Sequence, residues 1–372
     1  MVDPCRGTAV CAALLIASGC FTSHVRTSYT DAGNFHENRA FEATPPFDYQ
    51  KSEVPFTNHL AGSGALPDYE LRLIEFPSVG DNGQPDNLVT ARYYRSTLSG
   101  PRPLVIVLPI WGSFTYPPRK ISSSIQRRSG GTVHVLHVQG DNYLADWSGL
   151  VAAADESEFL ELWRQAVERQ RVTVIDVRRL VDWAEGRPEI DPVRIGLVGF
   201  SLGAVVAGTI ATQEARLAAT VLVMGGSHLH SIIATCDGKR SISVQKKATQ
   251  SFGWDRYELA AQLEKITAVL DPANYPDRVD PRRILIIDAG RDKCVPASSR
   301  QDLWLALGKP ERISMNYDHE PAFYSITPLG FNWMRRRIWD FLEARLLSEP
   351  PAQPTERYTS QGTRPAALRA QP

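Results

Sequence analysis

Residues 199–203 read G-F-S-L-G, and the serine at the centre of this pentad is the first candidate for covalent chemistry. A serine hydroxyl attacks a carbonyl carbon only when a neighbouring base accepts its proton. Because glycine and serine are common residues, the pentad alone does not separate a nucleophile from a small residue in a tight turn. The decision depends on the elements that surround Ser201 and on the acids and histidines that follow it.

The elements predicted around Ser201 are those that a nucleophile at the end of a strand requires. Residues 194–200 form an apolar run typical of a buried strand, and residues 202–212 form a helix of small residues. In such a turn the serine backbone is strained, and the residues two positions away must lack bulk. Gly199 and Gly203 occupy those positions, so Ser201 is interpreted as a nucleophile.

An acid and a histidine follow Ser201 in the chain order that this strand–turn–helix arrangement uses. Asp292 comes just after a predicted strand at 283–289, and His319 is the only histidine beyond it. We therefore predict that His319 takes the proton of Ser201 and that Asp292 fixes the imidazole tautomer. Asp288 is the alternative acid, but it lies inside the predicted strand and is interpreted as structural.

The remaining acids and histidines near these stretches have simpler interpretations. Asp318 and Glu320 flank His319, where they either orient the loop or are solvated. His228 and His230 form a candidate metal pair, but no third ligand is evident, so they are interpreted as loop or pocket histidines. No metal or other cofactor is predicted. Two histidines on a predicted strand at 132–138 are interpreted as structural, namely His134 and His137.

Acyl transfer also needs donors for the oxyanion that forms during attack. The backbone N–H of Leu202, directly after the serine, is the first candidate. The loop at 108–116 should supply the second, from Ile110 or Trp111, because Pro109 has no N–H. Aromatic residues near these positions are typical either of an apolar pocket wall or of ordinary packing; they are Trp111, Phe114, Tyr116 and Trp147.

The elements that position these residues alternate between strands and helices. Such alternation predicts an α/β fold with a mostly parallel sheet and helices on both faces. Residues 227–280 interrupt it after the sixth predicted strand, and we interpret them as a cap or lid over the carboxyl edge of the sheet, where ligands bind, or as a peripheral decoration. The predicted strands are 70–79, 87–96, 103–110, 132–138, 194–200, 219–224, 283–289 and 311–317, and the predicted helices are 156–187, 202–212, 297–308 and 330–347.

Composition narrows the class of protein. The 372 residues are 43% hydrophobic and 22% charged, a globular balance. Forty-one basic residues match forty-one acidic ones, which argues against a nucleic-acid partner. Residues 67–347 are therefore predicted to form the folded domain, preceded by a polar tether at 21–66 and followed by a disordered tail at 348–372.

The N-terminal residues are typical of an export signal. An apolar run of about a dozen residues follows Gly7, which is too short to span a bilayer. It ends in Ala-Ser-Gly-Cys, so residues 1–19 are predicted to be a bacterial lipoprotein-type signal peptide with Cys20 lipidated; ordinary secretion is the alternative. The cysteines that then remain, Cys236 and Cys294, either form a disulfide or stay as two thiols.

The stretch 176–204, the stretch D-A-G-R-D-K-C-V-P at 288–296 and His319 together resemble the α/β-hydrolase superfamily, with dienelactone-hydrolase-like and prolyl-oligopeptidase-like serine hydrolases as the closest groups. The resemblance covers about residues 70–346 and implies an ester, acyl or peptide hydrolase that needs no cofactor. The expected activity is that of a carboxylesterase acting on a small-molecule ester or acyl substrate, on a protein held at the cell envelope by its lipid. A peptidase, an acyltransferase and a catalytically silent envelope lipoprotein remain alternatives.

Overall fold

The computed structural model describes residues 24–28, 45–51, 55–63, 66–83, 85–110, 116–140, 145–319 and 328–348. Within these residues the chain forms one twisted sheet. Its strands are β1 (His24–Thr27), β2 (Thr57–Ser63), β3 (Tyr69–Pro77), β4 (Leu88–Ser96), β5 (Arg102–Val107), β6 (His134–Val138), β7 (Ile190–Phe200), β8 (Leu217–Val223), β9 (Ile284–Ala289) and β10 (Glu311–Met315).

The strands of this sheet lie in the order β1-β10-β9-β8-β7-β5-β6-β4-β3-β2. The six central strands from β10 to β6 run parallel to their neighbours, whereas β1 at one edge and β4, β3 and β2 at the other are antiparallel. The carboxyl ends of β7, β9 and β10 therefore meet at one edge of the sheet. The predicted mostly parallel sheet is confirmed.

Helices cover both faces of the sheet. Along β5, Leu104 and Ile106 pack into one apolar layer and Val105 and Val107 into the other, as the two-residue period of a strand requires. The helices of the described residues are α1 (Tyr116–Ser129), α2 (Trp147–Ala152), α3 (Glu156–Glu185), α4 (Leu202–Gln213), α5 (Leu229–Thr235), α6 (Lys239–Phe252), α7 (Arg256–Thr267), α8 (Ala297–Ala306) and α9 (Pro328–Leu346). The first layer is shared with α3, α4 and α8, and the second with α1 and α9.

The segment 227–280, which lies between β8 and β9, is mostly helical and contains α5, α6 and α7. These helices share an apolar cluster with α2, the first turns of α3 and the start of α4. Leu202 and Val205 of α4 belong to that cluster, so the segment packs directly on the turn that follows Ser201.

The described parts of residues 21–66 differ from the predicted tether. β1 pairs with β10 and β2 pairs with β3, so both strands belong to the sheet. Phe47 is fully buried in the core, and the hydroxyl of Tyr49 donates a hydrogen bond of 2.6 Å to Asp182. The sequence signal is weak because short edge strands are held through their backbones and bury few side chains.

The parts of the chain that the structure describes include no helix with both the length and the apolar character needed to cross a bilayer. The predicted lipid site at Cys20, the signal peptide before it and the tail at 348–372 lie outside the described residues, apart from position 348.

Candidate active site

Ser201 lies in a tight turn between β7 and α4. Its backbone is in the left-handed region, with φ 50° and ψ −121°, which is costly for a residue with a Cβ. A hydrogen bond of 2.8 Å from its N–H to the carbonyl of Val223 on β8 helps to hold this conformation. This hydrogen bond therefore supports the strained conformation, which places the hydroxyl at the carboxyl edge of the sheet.

Two glycines make the close approach of β7 and α4 possible. A Cβ at Gly199 would collide with the carbonyl oxygen of Gly203 and with the methyl group of Ala207. A Cβ at Gly203 would collide with the carbonyl oxygen of Pro109, in the loop after β5. The glycines thus also bring that loop against the first turn of α4.

Hydrogen bonds join Ser201, His319 and Asp292 in one chain. The Oγ of Ser201 lies 3.0 Å from Nε2 of His319, and Nδ1 of His319 lies 2.7 Å from Oδ2 of Asp292. The other carboxylate oxygen of Asp292 accepts hydrogen bonds of 2.8 Å from the backbone N–H groups of Cys294 and Val295. The side chain of Asp292 is fully buried, so a carboxylate there is stabilised by these donors rather than by water.

Asp318 holds the loop that carries His319. Its carboxylate accepts hydrogen bonds of 2.7 Å from the N–H of His319 and 3.1 Å from the N–H of Lys293. Burial raises the pKa of Asp318, but these hydrogen bonds and the nearby Lys293 ammonium outweigh it and lower the pKa overall. The charged carboxylate therefore joins the loop after β10 to the loop after β9. Of the two roles that the sequence allows for Asp318, orienting the loop or being solvated, the structure shows the first.

The candidate oxyanion donors lie at the same place. Leu202 is the first residue of α4, where helix N–H groups lack partners within the helix. Ile110 lines the same cavity as Ser201, His319 and Leu202. The structure thus brings Ile110 and Leu202 to the cavity beside Ser201, whereas Trp111 and Phe114 lie outside the described residues.

A cavity of about 370 Å³ opens beside Ser201. Ser201 and His319 lie on its wall together with residues from the turn after β8 and from α5 and the first turn of α6. Trp147 lines it, as expected for an apolar-walled pocket, while Tyr116 begins α1 and does not. No motif in the sequence marks the cavity residues of α5 and α6 in advance; they are Leu229, Ile232, Ile233, Lys239, Arg240 and Ser241.

Cys236 and Cys294 are joined by a disulfide, which connects the end of α5 to the loop after β9. Cys294 is also the residue whose N–H donates to Asp292. Of the two alternatives that the sequence allows for these cysteines, the structure contains the bonded one. The bridge links the segment that walls the cavity to the loop that carries the acid.

His228 belongs to a separate group at the start of α5. Its Nδ1 lies 2.9 Å from Asp271 and its Nε2 lies 3.1 Å from Asp302. The hydrogen bond to Asp271 raises the pKa of His228, whereas burial lowers the pKa of His230. Among the described residues, no three His, Cys, Asp or Glu side chains are grouped so that they could hold a metal ion. His228 is thus a hydrogen-bonded loop histidine.

The alternative acid and the strand histidines have structural contacts. Asp288 is fully buried and pairs with Arg312 on β10 at 2.5 Å. His134 is also buried, and its two ring nitrogens contact the backbone N–H of Ser96 at 2.9 Å and the carbonyl oxygen of Glu189 at 2.8 Å. His137 is buried beside it on β6. Neither Asp288 nor these histidines reach the cavity beside Ser201.

Comparison with protein families and solved structures fits this geometry. Residues 138–315, just under half of the chain, match the model of the dienelactone hydrolase family. The match includes Ser201 and Asp292 and ends four residues before His319. A comparison with curated proteins found no match.

Several solved structures share this fold but are distant in sequence. An acetyl xylan esterase from a Paenibacillus species is 15% identical with a TM-score of 0.58, covering 79% of this chain and 90% of its own. Acetyl xylan esterase 1 from a Thermoanaerobacterium species is 15% identical with a TM-score of 0.56, covering 78% and 88%. The acylaminoacyl peptidase of Pyrococcus horikoshii is 16% identical with a TM-score of 0.55, covering 78% and 44%. Residues 138–315 are thus similar to the dienelactone hydrolase family, and the chain has an α/β-hydrolase fold.

Proposed function

We propose that the protein is a serine hydrolase that cleaves carboxylic esters through an acyl-enzyme. The observation that carries the proposal is the hydrogen-bonded chain from Ser201 through His319 to the buried Asp292, at the wall of a largely apolar cavity. A base in contact with the hydroxyl and an acid in contact with the base are what a serine nucleophile needs.

The two half-reactions follow from the positions of these atoms. Ser201 Oγ bonds to the ester carbonyl carbon while its proton passes to Nε2 of His319, and the N–H of Leu202 with one from the loop after β5 stabilises the oxyanion. The C–O bond to the alcohol then breaks, and His319 returns the proton to the leaving oxygen. Water attacks the acyl-enzyme by the same route, which releases the carboxylic acid and restores Ser201.

The comparisons support an ester as the first substrate to test. The matched family is a hydrolase family, and two of the three structures described above are named as acetyl xylan esterases. The third is named as an acylaminoacyl peptidase, which keeps a peptide bond as the second candidate. A panel of short acyl esters against peptide substrates separates the two, and we expect hydrolysis of the esters.

The decisive experiment is labelling with a fluorophosphonate probe, which reacts with an activated serine. We expect wild type to be labelled and Ser201→Ala to remain unlabelled. Ser231→Ala, on the neighbouring helix α5, is the control and should be labelled like wild type. A folded wild-type protein that takes up no label would overturn the proposal and favour a catalytically silent protein.

We further propose that the protein is exported and lipidated at Cys20. The Ala-Ser-Gly-Cys stretch at 17–20 supports this, and so does the Cys236–Cys294 disulfide, since such bonds persist in oxidising compartments. In a bacterial host fed an alkyne-bearing fatty acid, the wild type should take up the label and Cys20→Ser should not. Equal labelling of both would contradict lipidation at Cys20.

A further inference from the structure

Apart from Ser201 and His319, the wall of the cavity beside Ser201 has its polar side chains in one limited region. Apolar side chains such as Val205, Leu229 and Ile233 form much of the wall, whereas its cationic side chains are both at the start of α6. These are Lys239 and Arg240, and no aspartate or glutamate is among the described residues that line the cavity. A substrate held here meets an apolar surface and, at one end, an uncompensated positive charge.

Neither of these cations has a protein partner in the described part of the chain. Lys239 and Arg240 are exposed at the cavity and form no ion pair or hydrogen bond through their side chains there. Some other cations of the protein are paired: Arg216, for example, contacts both Asp182 and Glu214 at 2.6 Å. The two positive charges beside the proposed active site are therefore available to a ligand.

The first turn of α6, which carries these cations, is electrostatically unfavourable when no ligand is bound. The N-terminus of a helix carries a partial positive charge and favours acidic residues. α6 instead begins with Lys239 and Arg240 and has no acidic residue in its first turn, and its N-cap residue, Gly238, has no side chain to accept from the first N–H groups. Asp237, directly before Gly238, forms no ion pair with either cation. A local arrangement that costs stability without an evident compensation is expected at a functional site.

The hydroxyl of Ser241 in the same turn provides an independent observation. Ser241 is only 6% exposed and lines the cavity, and its side chain has no hydrogen-bond partner among the described residues. Its Oγ is accessible from the cavity, so a molecule held there can accept its hydrogen bond. The hydroxyl, the two cations and the first N–H groups of α6 are together the kinds of donor that bind a carboxylate or a phosphate.

We propose that the first turn of α6 binds an anionic oxygen group, a carboxylate or a phosphate, on the same substrate molecule whose ester reaches Ser201. The inference rests on the proposed function and adds the class of substrate: an ester with an apolar body and an anionic end. Lys239 and Arg240 attract and pair with the anion, and Ser241 donates a hydrogen bond to it. The apolar wall from α4 and α5 holds the part between.

The test compares matched p-nitrophenyl esters that differ only at the far end of the acyl chain. One set ends in a methyl group, a second in a carboxylate and a third in a phosphonate, each over a series of chain lengths. The quantity measured is kcat/KM for the anionic ester divided by kcat/KM for the methyl-ended ester of equal length. We expect this ratio to exceed one for wild type at low salt and to fall as ionic strength screens the charges. The carboxylate and phosphonate sets show which anion is preferred.

The test variant is Lys239→Ala/Arg240→Ala, and the matched control is Lys246→Ala/Lys265→Ala. The control removes two exposed cations from α6 and α7 that do not line the cavity, so the change in net charge is the same. We expect the ratio to fall about tenfold in the test variant, mostly through KM because the lost contact is present before and during reaction, and to stay at the wild-type value in the control. Ser241→Ala should lower the ratio by about threefold.

Failure of this inference is distinguishable from failure of the proposed function. If fluorophosphonate labels Ser201 and methyl-ended esters are hydrolysed, but the ratio is near one or falls equally in test variant and control, the anion site is wrong and the hydrolase stands. If the folded wild type takes up no label, the hydrolase itself is wrong.

Discussion

Asp292 uses its two carboxylate oxygens for different partners. Oδ2 accepts from His319, while Oδ1 accepts from the backbone of Cys294 and Val295. Oδ1 thus fixes the carboxylate in the loop, and Oδ2 fixes which ring nitrogen of His319 carries the proton. At the scale of single residues, the proposed role of His319 as a base therefore depends on its contact with Oδ2 of Asp292.

We predict that Asp292→Asn retains the fold and loses most of the activity. The asparagine oxygen can still accept from Cys294 and Val295, which leaves the amide nitrogen facing Nδ1 of His319. The imidazole must then carry its proton on Nε2, where it cannot accept one from Ser201. We expect kcat on a short p-nitrophenyl ester to fall by about 10⁴-fold with the melting temperature little changed.

The control for that substitution is Asp302→Asn, which removes a carboxylate from the His228 group and leaves His319 untouched. It should retain wild-type kcat. Comparable kcat for wild type and Asp292→Asn would show that Asp292 is not the acid of the site.

His137 should make the stability of the protein depend on pH. Burial, with smaller contributions from Arg92 and Arg119, lowers the pKa of His137 from 6.5 to about 4. The unfolded chain therefore binds a proton that the folded chain does not, and stability present above pH 6.5 is lost as pH falls towards 4. The shift corresponds to about 3 kcal/mol in the free energy of unfolding.

Thermal unfolding of wild type and His137→Gln at about pH 7 and about pH 4.5 measures this contribution. The melting temperature of wild type should fall further on acidification than that of the variant. His59→Gln, which removes an exposed histidine of β2, should retain the wild-type decrease. The same decrease in all three proteins would contradict the assignment to His137.

At the scale of elements, the disulfide should stabilise the contact between α5 and the loop after β9, which carries Asp292. It joins residues 58 positions apart, and closing a loop of that length in the unfolded chain is worth about 2–4 kcal/mol. We predict that Cys236→Ser/Cys294→Ser lowers the melting temperature. Kinetic measurements should also show a lower kcat, because Cys294 positions Asp292 through its N–H.

Reductant gives the matched control for the disulfide. It should lower the melting temperature of wild type towards that of the double variant and leave the variant unchanged. A wild-type protein that, once unfolded, titrates with the same number of thiols before and after reduction would contradict the bridge.

The elements that could be predicted are those whose residue types are set by the local geometry of a strand or a turn. Gly199 and Gly203 mark the turn at Ser201, and the apolar run before Asp292 and the alternating residues before His319 mark the ends of β9 and β10. The positions of α5 and α6 follow no such rule, because a helix that packs on another element by its apolar face can do so in many orientations. Lys239 and Arg240 therefore look in sequence like ordinary surface cations, and only the packing of α6 brings them to the cavity.

At the scale of the whole molecule, the N-terminal strand is the main departure from what the sequence predicts. Residues 21–66 are polar without sustained periodicity, which favours a tether, yet β1 joins the sheet through its backbone. His24 pairs with Met315, the last residue of β10, so β1 begins at the edge of the sheet where His319 follows. A pairing between residues nearly three hundred positions apart leaves no local pattern to read.

This pairing changes what lipidation at Cys20 would do. Four residue steps separate Cys20 from His24, and a fully extended chain spans at most about 14 Å over four steps. A lipid at Cys20 would therefore hold the edge of the sheet at which Ser201 and His319 lie close to the membrane, instead of leaving the domain on a long tether. The orientation of the domain on a lipidated protein is thus predictable.

We test this orientation with a dye at one of two exposed positions, on lipidated protein in vesicles that carry a headgroup quencher. Ser298→Cys places the dye in the first turn of α8, just after the loop that carries Asp292, and Val193→Cys places it near the amino end of β7. β7 runs from Val193 towards Ser201, so Val193 lies far from the edge of the sheet that the lipid would hold at the membrane. We therefore expect stronger quenching at Ser298 than at Val193. Cys20→Ser versions should show quenching at neither position. Equal quenching at both positions on the lipidated protein would mean that the domain is not held by this edge and that the segment between Cys20 and β1 does not set its orientation.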